Sequence, residues 1–183
     1  MDVVTAITND HRVLDGLFDE LTAGDDDRLV LIAEVRARLA AHSRAEERYV
    51  YPTLAKLRPD LANHGAEEHR EADEKIAALA SAPDFPSALK DFVDTVRHHV
   101  EEEEHKLLPA LRDALSFRKR DELGRRFESH RISELRRAGI DDALTKEDLY
   151  IRAQRAGIAG RSSMSRGELA RALLAARTRA VGK

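Results

Sequence analysis

Two stretches of this chain carry residues able to do chemistry, and they are diverged copies of one pattern. His42–Leu54 reads HSRAEERYVYPTL and His99–Leu111 reads HVEEEEHKLLPAL; they align on Pro52 and Pro109. His42 then matches His99, Glu46 matches Glu103, Glu47 matches Glu104, and Leu54 matches Leu111. On a helix, residues four apart lie nearly one above the other, so each copy points an imidazole and a carboxylate the same way. His98 competes with His99 as the partner of Glu103, and the repeat favours His99.

The elements that must position these groups follow from apolar spacing. Ile7, His11, Leu14, Phe18 and Leu21 recur at three and four, which predicts a helix over about 3–21 with His11 inside its apolar stripe. Thr22–Asp27 (TAGDDD) is expected to end it and cap the next helix. The second helix is expected over 28–58, with Leu31, Val35, Leu39, His42, Glu46 and Tyr49 on one face and a kink or break at Pro52. A third over 60–80 puts His69, Ala72, Asp73 and Ile76 inward. A fourth over 87–115 does the same for Phe92, Val96, His99, Glu103 and Leu107, with Pro109 repeating the late proline. Short connections predict an all-α, up-down-up-down four-helix bundle.

His11, His42, Glu46, His69, His99 and Glu103 thus all fall on otherwise apolar faces, and each of the four helices supplies at least one. One histidine on such a face is ordinary, but two carboxylates sharing a core with four imidazoles need a common partner, because an unpaired buried carboxylate is very costly. A metal meets that need. Two symmetric units suit a pair of ions with Glu46 and Glu103 between them, two histidines on each, and water, hydroxide or oxo groups in the remaining positions. Nitrogen and oxygen donors without thiolate suit Fe, Mn or Zn, and the chain has no cysteine.

The order H, H-x-x-x-E, H, H-x-x-x-E resembles the haemerythrin-like HHE cation-binding family over roughly residues 3–115. The resemblance implies two iron ions held by His11, His42, Glu46, His69, His99 and Glu103, and a small-molecule partner such as peroxide, O2 or NO. The oxygen-carrying haemerythrins have a further histidine four residues after the third-helix ligand; here that position is Asp73. Asp73 is expected to support the ligands from behind; Tyr49, one turn after Glu46, is expected to pack at the boundary of the inner face, with a hydrogen bond near the site or a redox role as the alternatives. His64, His105 and His130 are expected at the surface, and the run Glu101–Glu104 is expected to be solvated apart from Glu103.

The charge balance divides the chain. Residues 1–115 hold 14 Lys and Arg against 25 Asp and Glu, whereas residues 116–183 hold 17 against 9. That asymmetry predicts units of different character: a bundle over 1–115, a charged fifth helix and linker over 116–143, and a small basic helix-loop-helix over 144–183. The last has capping-box spacing at Thr145/Asp148 and Ser165/Glu168, with Gly157 and Gly160 between. It resembles SAP-like or Rho N-terminal modules, which implies contact with nucleic acid or protein. No apolar run approaches the ~20 residues a membrane span requires. With no signal peptide seen, the expected location is cytoplasmic.

Overall fold

The computed structural model describes residues 1–24, 28–142 and 144–181, the last four by backbone alone. Among these residues the fold is all-helical. Helix α1 (Val3–Ala23) starts at Asp2, whose side chain accepts from the Val4 N–H, and ends at Gly24 with φ +79°. The cap expected from Asp25–Asp27 lies outside the described residues. Helix α2 (Arg28–Ala45) runs into a π-turn (Glu46–Val50) and a short α3 (Tyr51–Leu54). Helix α4 (Pro59–Leu79) precedes α5 (Phe85–Glu102), which runs into a second π-turn (Glu103–Leu107) and α6 (Leu108–Ala114).

A π-turn stands just before Pro52, where a kink or break is expected, and a second just before Pro109, and they have one cause. Proline lacks an N–H and its ring crowds the carbonyl four residues back. The helix answers by widening one turn: the Tyr51 N–H donates to Glu46 O, and the Leu108 N–H donates to Glu103 O, each five residues back. Each widened turn begins at a carboxylate of the repeated pattern, in keeping with the occurrence of π-turns at functional sites. The extra residue also shifts the phase of everything after it. Tyr51, not Tyr49, therefore turns inward.

Helices α1, α2, α4 and α5 surround two apolar clusters. One gathers Leu14, Phe18, Leu31, Val35, Ile76, Leu79, Phe92 and Val96. The other gathers Val3, Ile7, Val50, Tyr51, Leu54, Leu61, Leu108 and Leu111. His11, His42, Glu46, His69, His99 and Glu103 belong to neither and form a buried polar layer.

Helix α7 (Phe117–Ala138) is capped by Ser116 and stops at Gly139, left-handed at φ +89°. It lies along α1 and α2. Leu123 and Phe127 enter the second apolar cluster, and the Phe127 ring stands edge-on to His42 with centroids 5.8 Å apart. Gly124 faces the first residues of the chain so closely that a Cβ there would stand 2.1 Å from the Met1 carbonyl oxygen. Helix α8 (Lys146–Arg155) opens with the Thr145/Asp148 capping box, and α9 (Arg166–Val181) folds back on α8 around Leu149, Ala153 and Leu169. No helix among the described residues is long and apolar enough to cross a membrane.

Phe127 is fully buried whereas Phe117 is 68% exposed on the same helix. Phe127→Ala is expected to lower the unfolding free energy by about 3–5 kcal/mol. Phe117→Ala is expected to change it by less than about 0.5 kcal/mol. Denaturant titration of both variants checks this, and equal losses would contradict the place given to α7.

Candidate metal centre

The six residues singled out by spacing meet in the polar layer. Glu46 is 0% and Glu103 1% exposed, and the four histidines are buried around them. His42 Nε2 and His69 Nε2 lie 3.2 and 3.3 Å from Glu46 Oε2. His11 Nε2 lies 3.2 Å and His99 Nε2 3.9 Å from Glu103 Oε2. The donor-type atoms form two groups, each lying within 4.8 Å: His11, His42, Glu46 and Glu103, and Glu46, His69 and His99. His98, the rival, is exposed.

The other nitrogen of every ring is held by a carboxylate. His11 Nδ1 is 2.8 Å from Glu104, His42 Nδ1 is 3.1 Å from Asp10, His69 Nδ1 is 3.2 Å from Glu47, and His99 Nδ1 is 2.9 Å from Glu68. A carboxylate only accepts, so each Nδ1 carries the proton, and in a neutral ring the Nε2 lone pair faces the centre. The accepting carboxylates run in a closed ring: Asp10 of α1 holds α2, Glu47 beside α2 holds α4, Glu68 of α4 holds α5, and Glu104 beside α5 holds α1.

The spacing points instead to Asp73 for the supporting role and leaves Tyr49 at the boundary, with support of the site as its alternative. Asp73 is exposed, and Tyr49 packs edge-on against His130, with centroids 5.6 Å apart. The signal was present in the repeat: the second glutamate of each E-E pair recurs, and Asp10 and Glu68 directly precede the two isolated histidines. The run Glu101–Glu104 is expected to be solvated apart from Glu103, but Glu104, and Glu47 which matches it, each reach a histidine of the neighbouring helix. Tyr51 takes the place expected for Tyr49. Its ring stacks on His69 at 5.4 Å with its hydroxyl 3.4 Å from Nε2. Gly65 makes room for that hydroxyl, which would stand 2.5 Å from a Cβ there.

The inward-facing atoms are short of hydrogen. Both oxygens of Glu46, both oxygens of Glu103 and His11 Nε2 are buried with no hydrogen-bond partner. The 3.2 Å separations between imidazole and carboxylate are therefore approaches without donor geometry. His69 Nε2 and His99 Nε2 stand 3.1 Å apart, which requires a proton or another cation between them. Buried lone pairs converging on a common space from nitrogen and oxygen are what a cation neutralises, so these residues fit a metal.

A family model described as Hemerythrin HHE cation binding domain matches residues 2–111. The chain belongs to this family. Cation binding comes with that membership, and the buried His/Glu groups are its candidate site. A solved hemerythrin HHE cation binding domain-containing protein from Mycobacterium kansasii shares the fold, with a TM-score of 0.68 at 21% identity over 94% of this chain and 99% of that one. A DNA nickase of Nostoc sp. is 27% identical over 146 residues, which cover 76% of this chain. The aligned part is 42% of that relative, so this HHE chain spans about two fifths of its length.

Without metal, protons do the cation's work. Burial alone pushes the His42 imidazole down, but Glu46 and Asp10 hold it well above its ordinary value. Burial opposes charge on Glu46 as well, yet His42 and His69 hold it well below the usual carboxylate range. For His69, burial is again outweighed, by Glu46 and Glu47, which raise it from 6.5 to about 9. A raised folded value contributes stability that is fully present below pH 6.5 and is lost as pH rises through about 9. The metal-free HHE domain is therefore expected to melt at progressively lower temperature over this window, in chelator-treated protein. A flat profile would contradict the protonated ring.

Proposed function

We propose that this chain is a non-haem di-iron protein that binds or transforms a small molecule, peroxide, O2 or NO, at the buried His/Glu layer. The observation that supports it most is the set of inward-facing Nε2 atoms and unpartnered carboxylate oxygens, each imidazole fixed from behind by a carboxylate. His11 and His42 would hold one ion and His69 and His99 the other, with Glu46 and Glu103 shared. Iron fits this nitrogen and oxygen set, as do Mn and Zn less specifically to the proposed reaction. The ions would supply one-electron redox steps and coordination positions open to a small oxidant.

The chain's own residues have defined parts. Glu104, Asp10, Glu47 and Glu68 keep the four Nδ1 protons and hold each ring in place. The Tyr51 hydroxyl lies beside the layer, 3.4 Å from His69 Nε2, and burial holds its proton far more tightly than usual. It is suited to steady a bound anion by donating a hydrogen bond, not to act as a base. The two apolar clusters keep water from the layer on both sides. A groove of about 1210 Å³ between Leu21, Arg28, Phe85, Leu89 and Arg97 is lined by none of the six residues, in keeping with a substrate small enough to need no such groove. The whole is read as an up-down four-helix bundle with α7 as a fifth helix, located in the cytoplasm.

A second reading, a sensor acting through the basic SAP-like pair at 144–183, draws on a route of ion pairs. Asp10, which holds His42, lies 3.1 Å from Arg131. Arg131 shares Asp142 with Arg38, at 3.3 and 2.8 Å. Arg38 holds Glu34 at 2.9 Å, and Arg171 of α9 reaches Glu34 at 3.9 Å and Glu20 at 2.8 Å. The layer and the terminal pair thus share counter-charges, and the nickase relative makes nucleic acid the contact to try first. Plain iron storage is the third reading.

Anaerobic iron loading of the full chain is expected to give about two ions and a higher melting temperature by linkage. His99→Ala is expected to lose the metal and His98→Ala to keep it. Peroxide turnover and NO binding should persist in a chain ending at Asp142. Binding to duplex DNA at two salt concentrations, reduced and oxidised, tests the second reading, since phosphate contacts weaken steeply with salt. Redox-dependent DNA binding by the full chain, with no small-molecule chemistry in either form, would overturn the first.

A further inference from the structure

A further His-x-x-x-Glu pair lies outside the buried layer. His64 and Glu68 are four apart on α4, and Glu102 of α5 closes on them from the neighbouring helix. His64 Nε2 lies 3.2 Å from Glu102 Oε2 and 3.6 Å from Glu68 Oε1. One donor atom from each of the three residues lies within 4.8 Å of the others. The His64 side chain is 53% exposed, whereas those of Glu68 and Glu102 are 11% and 18% exposed, so the cluster opens to solvent at its histidine and narrows inward.

What separates this group from an ordinary acidic surface is Glu68. One of its oxygens faces His64, and the other holds His99 Nδ1 at 2.9 Å. The same carboxylate therefore belongs to the surface cluster and to the ring that fixes the buried imidazoles. Glu102 likewise precedes Glu103 in the chain, and its remaining oxygen is taken by Lys106. The inner layer needs such a connection. Its carboxylates are 0–1% exposed, and a hydrated divalent ion must shed water and meet ligands stepwise to reach them.

We infer that His64, Glu68 and Glu102 form an outer divalent-cation site that hands ions to the buried layer past Glu68 and His99. It takes a hydrated Fe(II) or Mn(II) ion, for which one imidazole and two carboxylates are suitable partial ligands. The mixed set and the open side make this site weaker than the inner one and quick to release. The inference rests on the buried layer binding metal.

The test uses the full chain with Fe(II) under anaerobic conditions, and Mn(II) as a second probe. His64→Ala and Glu102→Gln alter the outer group without removing any of the six inner residues. Inner-layer filling at limiting Fe(II) is expected to slow by about tenfold or more in both, the scale on which residues behind a ligand act. Both should reach the same final inner content as the unaltered chain. At saturating Mn(II) the unaltered chain is expected to hold one extra, weakly bound ion that both variants lack. Loading within about threefold of the unaltered rate, or no extra Mn(II), overturns the inference. Because His64 is exposed, the metal-free melting temperature should be unchanged, and slow loading accompanied by a lower one also counts against it. If the unaltered chain takes up no metal, the proposed function fails; if it loads and the variants load equally fast, only the outer site fails.

Discussion

Two carboxylates whose oxygens have no hydrogen-bond partner, Glu46 and Glu103, lie in a buried polar layer between two apolar clusters of the helical core. Burying a bare carboxylate costs several kcal/mol even after the surroundings relax, so the fold must compensate it with positive charge. Every other feature of the layer serves that need. Four imidazoles approach with their Nε2 atoms, and four further carboxylates hold those imidazoles from behind. In the metal-free protein the carboxylates around His42 and His69 favour protons on those rings; in an HHE domain that has bound its cation, the cation supplies the charge.

The ring of Nδ1 bonds also sets helix register. Each of α1, α2, α4 and α5 is tied at the height of the layer to the next helix round, by one carboxylate to one ring. Sliding any helix by a turn would move its imidazole about 5.4 Å along the axis, away from the carboxylate behind it and from the centre. Apolar packing alone tolerates such slips far better, because leucines are interchangeable in a way that a histidine and its acceptor are not.

Much of this was legible in the sequence because it rests on local periodicity. The four helical stripes, the six inward residues and the choice of His99 over His98 all follow from spacing of three and four, and from a repeat whose copies constrain one another. Legibility failed where periodicity itself changes. The widened turns at Glu46–Val50 and Glu103–Leu107 add one residue to the phase, so a helical wheel carried past Glu46 selects Tyr49 when the chain presents Tyr51. It failed again for Asp73, a residue of the right phase on α4 that is nevertheless exposed, while Glu47 and Glu104, of the wrong phase, bond across to neighbouring helices. Reach between helices is not encoded in the spacing along one of them.

The polar layer lies between the two larger apolar clusters, which share no residue. Each is a small core, and the charges between them give neither side apolar contact across the boundary. Folding cooperativity must then pass through the layer: when its charges are balanced by a bound cation, the two halves are riveted into one unit, and when they are not, each half is left to its own modest stability. Amide exchange would register this as two opening rates merging into one, making the centre a structural coupling as well as a place for chemistry.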